Sequence, residues 1–162
     1  MRLIAEWVPL HFPGATIVMR ASVGAIQPSV DATDLTPAEL RRLGTARRWV
    51  DALVITATEV HLVEAKITLA PGAIAQLKLY GRLFPYTRDY VQFKDWPRSL
   101  HLVYAIEDPV VVALANDEGI LTHQYRPPWI EDYIQGLEPR KQRPTKPGGI
   151  EAELFPGEEP KP

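Results

Sequence analysis

The sequence contains no cysteine. That excludes a disulfide framework and a thiolate metal site, and it fits a reducing compartment. Asparagine occurs once, at Asn116, and methionine 2 times, while proline occurs 16 times. Scarce Cys and Asn with proline-rich loops is a pattern of thermophilic proteins, and a GC-rich genome gives the same bias. No apolar run reaches the length of about 18 residues that a membrane-spanning helix needs, so no membrane association is expected. Residues 1–6 place Glu6 where a secretory leader needs unbroken apolar sequence. Bulk positive charge is also missing. Lys and Arg total 18 against 20 Asp and Glu, a net charge of −2. This excludes a protein that coats nucleic acid through overall charge and leaves room for a local patch.

What remains is a chain of 162 residues, 46% hydrophobic and 23% charged, enough for one domain with a real core. The expected division is a folded domain over 1–137, with an N-terminal β extension over about 1–30, and a Pro-rich flexible tail over 138–162. The tail is basic first (Arg140, Lys141, Arg143, Lys146) and acidic later, around Leu154 and Phe155. It cannot bury enough apolar surface to offset its ordering entropy. It is either a solvated tail or a docking peptide anchored by Leu154 and Phe155.

The body reads as an α/β fold with a central mixed sheet flanked by helices. Residues 15–26 form a strand, paired with a strand at 3–8. Thr36, Pro37 and Glu39 open a helix that ends near Gly44, with Glu39 in a capping box. Residues 47–56 and 59–68 form a hairpin. A helix runs from Pro71 to about Phe84, its apolar residues at helical spacing. Strands follow at 100–106 and 110–114, then a loop with His123 and a last helix from Pro127 stopped by Gly136.

Charges inside apolar strands carry the chemistry. Glu64 and Lys66 share a face of the strand at 59–68, where flanking residues are apolar on both sides. Asp51 interrupts the preceding apolar strand, and the hairpin brings it beside Glu64. Two close carboxylates repel, so a divalent cation or a lysine must hold both ionised. Two carboxylate oxygens and a backbone carbonyl, that of Ala65, suit Mg²⁺ or Mn²⁺. A plainer reading stays open: a Lys–Glu pair plus a capping or exposed Asp on an edge hairpin.

Asp51 followed by Glu64-Ala65-Lys66 on the next strand resembles the PD-(D/E)xK nuclease superfamily. Gln76 and Tyr80, one helical turn apart on the following helix, are similar to the QxxxY element of its RecB-type branch. The resemblance spans residues 36–114 and implies a restriction-endonuclease-like core. It also implies a metal site of Asp51, Glu64 and the Ala65 carbonyl, with Lys66 assisting an attacking water. Gln76, Tyr80 and Glu39 would support the site. Val50 stands where the family often has proline, and His11 is the one upstream histidine, so a helicase-linked exonuclease is not implied. Arg47 and Arg48, with Arg41 and Arg42 nearby, and Lys78 with Arg82 are candidate nucleic-acid contacts, or solvated surface charges. His61 and His101 read as core or interface histidines.

Two functions follow. One is a metal-dependent DNA nuclease hydrolysing phosphodiester bonds, aimed at DNA by a protein partner or by homo-oligomerisation through the tail and the N-terminal extension. The other is a non-catalytic assembly component on the same fold, such as a phage virion or head-completion protein. The expected location is cytoplasmic, or virion-associated for a phage-encoded chain.

Overall fold

The structure, a computed structural model, describes residues 2–24 and 48–137. The expected helix with Glu39, the arginines 41, 42 and 47, and the tail from residue 138 lie outside the described residues. The chain divides into compact units over 1–127 and 128–162. In the second unit, helix α4 (Trp129–Leu137) carries Glu131 and Asp132 in its first turn, where acids complement the helix dipole.

The first unit holds a five-stranded mixed sheet in the order β1-β2-β3-β4-β5. Its strands are β1 (Thr16–Val23), β2 (Arg48–Ile55), β3 (Val60–Thr68), β4 (Arg98–Ile106) and β5 (Leu121–Gln124). The first three run antiparallel, and β4 and β5 add parallel to β3. The expected hairpin is β2–β3. Its turn is closed by Thr56, whose hydroxyl accepts from the Glu59 N–H at 3.1 Å and donates to the Glu59 carbonyl at 3.0 Å. Parallel neighbours need crossovers. Helix α2 (Gly72–Leu83) links β3 to β4, and helix α3 (Pro109–Asp117) links β4 to β5.

Each sheet face is covered. Ala73, Leu77, Tyr80 and Phe84 from α2 and its end pack with Val111 and Ala115 of α3 against Leu53, Leu62, Leu102 and Tyr104. Helix α1 (Arg2–His11) buries Leu3, Ile4, Trp7 and Val8 on the opposite face. Gly81 sits where helix and sheet approach closely: a Cβ there would lie 3.2 Å from Leu100 Cδ2.

Three expectations are corrected. Residues 3–8 are helical, not a strand, because Leu3, Ile4, Trp7 and Val8 repeat at helical spacing and make one buried stripe. The N-terminal extension therefore begins with α1, and β1 belongs to the main sheet. Residues 110–114 are helical despite their β-branched run. Asp108 accepts from the N–H groups of Val110 and Val111 at 3.1 and 3.3 Å, and Pro109 fills the first turn. His123 lies on strand β5 rather than in a loop. Removing the cap in Asp108→Ala is expected to cost about 1 kcal/mol. Thermal melting should then show a fall of about 2–4 °C.

Candidate functional site

Helix α2 covers the sheet face on which β3 presents Leu62, then Glu64, then Lys66. The strand is buried from Val60 through Glu64 and opens to partial exposure beyond. Glu64 is 1% exposed, a carboxylate inside the core. Lys66 Nζ donates to Glu64 Oε1 at 2.5 Å and remains about one-third exposed. Glu64 Oε2 is buried with no hydrogen-bond partner among the described residues. Burial pushes the Glu64 carboxyl up from its ordinary range, the Lys66 hydrogen bond opposes this, and the neighbouring Asp51 charge adds to it.

Asp51 reaches this place because the hairpin ladder stops short of it. The last β2–β3 pair is Ala52 with Val63. One step further, where Asp51 would oppose Glu64, the Asp51 Oδ2 accepts the Ala65 N–H at 3.0 Å instead. The N–H and C=O of an antiparallel strand residue point to the same neighbour. The Ala65 carbonyl therefore faces the β2 side too, beyond the last paired residue. The Asp51 carboxylate stands at this gap against the Ala65 main chain, and its charge acts on Glu64.

Gln76 and Tyr80 face the same place. Gln76 Nε2 donates to the Tyr80 hydroxyl at 2.6 Å. Burial raises the Tyr80 hydroxyl pKa, its Gln76 bond opposes that, and the charges of Glu64, Lys66 and Asp51 all act on it. The helix thus points its i, i+4 pair at the carboxylates. Lys78, two positions from either, leaves that face and pairs with Glu118 of the loop after α3. Arg48 and Arg82 are exposed. Asp51, Glu64, Lys66, Gln76 and Tyr80 come together, and Lys78 does not join them.

The donor set fits a hard divalent cation. Among the described residues no three His, Cys, Asp or Glu side chains converge as a metal cage. Mg²⁺ does not require one, since it is usually held by one or two carboxylates and completed by water and substrate phosphate. The orphaned Glu64 Oε2 is the atom that such a cation would satisfy.

A second cluster lies on the other face, under α1, and sequence reasoning missed its connectivity. His61 Nδ1 and His101 Nε2 lie 3.1 Å apart, and His101 Nδ1 and His123 Nε2 3.0 Å apart. His101 therefore donates at one ring nitrogen and accepts at the other, the direction set by tautomer. Trp7 stacks on His11 and lies against His123, and Phe12 covers His61. Burial lowers all three pKa values, that of His101 to about 3, with the charges of His123 and His61 adding to the effect. Alternation on β3 and β4 does set His61 and His101 on one face, but the link to His123 needed a strand at residues 121–124.

No family model matches this chain, and comparison with curated proteins and with solved structures gave no match.

Proposed function

We propose that this chain is a metal-dependent DNA nuclease of the PD-(D/E)xK type on a restriction-endonuclease-like core. The single observation that carries the reading is the buried Glu64 carboxylate. One of its oxygens is bonded to Lys66 and the other has no hydrogen-bond partner among the described residues, at the point where Asp51 takes the Ala65 N–H. A fold that needed only a stable sheet would place an apolar residue there, since an unsatisfied buried carboxylate is costly. The order of elements supports the same reading. An antiparallel pair carries the acids, a helix with Gln76 and Tyr80 follows, and a parallel strand comes next.

In this proposal Asp51, Glu64 and the Ala65 carbonyl hold Mg²⁺ or Mn²⁺. The cation supplies a water of lowered pKa and stabilises charge on the phosphate. Lys66 has a partly exposed ammonium two residues from Glu64, so it can orient the attacking water and meet charge developing on the phosphate oxygens. Tyr80 and Gln76 close the site from α2, fixing one another by their hydrogen bond. Substrate enters from the end of β3 where burial gives way to exposure.

The test is cleavage of linear, circular and single-stranded DNA with Mg²⁺, Mn²⁺ or EDTA, beside Lys66→Ala. Metal-dependent cutting by the wild type, slowed roughly 10²–10³-fold in Lys66→Ala, is the expected result. Equal cutting by wild type and variant, or none by either across a range of temperatures, overturns the reading.

A further inference from the structure

The β1–β2 ladder has one gap. Residues 16–19 pair with 55–52 and residues 21–23 with 50–48 in a single unbroken register, and the skipped position sets Arg20 opposite Asp51. Arg20 is also the one non-glycine residue with positive φ among the described residues, at 52°. An arginine has no intrinsic preference for that left-handed region, which suits glycine, asparagine and aspartate.

The gap re-phases both strands. On one side of it Ala21, Val23 and Val50 join the core under α2. On the other side Val18, Leu53 and Ile55 do so. These are odd then even positions on β1, and even then odd positions on β2, so strict alternation fails at the break on each strand. Leu53 pairs with Val18 on one side and with Leu62 on the other; Leu53 and Leu62 lie in that core and Val18 packs against it. Two steps along from that row lie Arg20, Asp51 and Glu64. At about 4.7–4.9 Å per strand, the Arg20 main chain lies about 10 Å from that of Glu64, at the register position of the two acids.

The side chain of Arg20 is exposed and forms no hydrogen bond or ion pair among the described residues. Lys66, by contrast, already donates to Glu64 and shares its charge with that carboxylate. Strained backbone persists where the surroundings over-determine it, and it clusters at functional sites. We infer that Arg20 is a further substrate-contacting residue of this site, holding a phosphate of the nucleic-acid backbone beside the two carboxylates. Its left-handed backbone falls at the break in the ladder opposite Asp51, and its guanidinium is uncommitted among the described residues. The inference rests on the nuclease reading.

The test separates backbone from side chain. Arg20→Gly and Arg20→Asn accept the left-handed conformation and remove the charge, while Arg20→Lys keeps the charge. Binding of a fluorescent DNA duplex is followed by anisotropy over 50–200 mM salt, with Ca²⁺ replacing Mg²⁺. The wild type and Arg20→Lys are expected to share one slope of log K against log salt. The slope for Arg20→Gly and Arg20→Asn should be shallower by about 0.9, the counterion release of one phosphate contact, with melting temperatures no lower than wild type. Equal slopes in all four proteins overturn the role of Arg20 while leaving the nuclease reading standing. No DNA binding by the wild type overturns both.

Discussion

Glu64→Gln is expected to melt at a higher temperature than the wild type in EDTA and to have lost metal-dependent cleavage. The two halves come from the same buried carboxylate. Its folded pKa is raised, so the folded chain holds its proton more tightly than the unfolded chain does. A group of this kind stabilises below its unfolded pKa and loses that contribution as pH rises through the folded value. At neutral pH the ionised Glu64 is therefore a cost, and glutamine, which mimics the neutral acid, removes it. Lys66 loses its anion but is exposed enough to rehydrate. A cation on Asp51 and Glu64 would relieve the same cost in the wild type. Bound at a hundredfold excess over its Kd, it stabilises by about 2.7 kcal/mol, a rise of roughly 5–10 °C in a domain of this size. Thermal melts with and without Mg²⁺ or Mn²⁺ check this. The wild type should rise with metal, whereas Glu64→Gln should start higher and stay there. A variant that melts lower in EDTA, or that keeps the metal response, contradicts the assignment of Glu64.

Acid is expected to unfold the protein through the histidine chain. In the unfolded chain His101 takes up a proton near pH 6.5, and in the folded chain near 3. Its contribution is complete above pH 6.5 and is lost as pH falls toward 3. For His101 alone the full loss is about 5 kcal/mol, and lowered His61 and His123 act in the same direction. Glu59 opposes at His61. Glu64 also opposes, since its protonation favours the fold as pH falls. Three histidines outweigh one acid in this window. Melting followed by circular dichroism should show a fall of about 10 °C between pH 7.5 and 4. His101→Gln cannot take up that proton, and its profile should be markedly flatter. A profile as steep as the wild type would show that the acid response lies elsewhere.

The hairpin was legible because its charges break an apolar run, and alternation then dictates which of them share a face. Asp51, Glu64 and Lys66 could be read from that rule alone. The helix with Gln76 and Tyr80 was legible from helical spacing of its apolar residues. The N-terminal helix was not, because short apolar segments fit either period until a partner surface selects one. The run at residues 110–114 reads as a strand from its β-branched residues, but side-chain propensity is weaker than a good cap, and Asp108 with Pro109 is the stronger local signal. The break at Arg20 had no signal at all, since nothing about arginine announces a positive φ. It arises from the pairing of three strands, which single-residue preferences do not contain.

The turn at residues 56–59 has a consequence for the order of folding. Asp51 and Ala65 are 14 residues apart in sequence, and a hairpin of that kind closes within about 1–10 μs. The parallel partner of β3 begins only at Arg98, which aligns with Val60, so the second side of β3 waits for a far longer loop to close. The two acids are thus drawn together while their surroundings are still wet, when repulsion between them is weakest. Lys66 travels on the same strand and is present from the first moment. Desolvation is then expected last, when α2 and β4 arrive, so that substitutions at Glu64 should change the unfolding rate more than the folding rate.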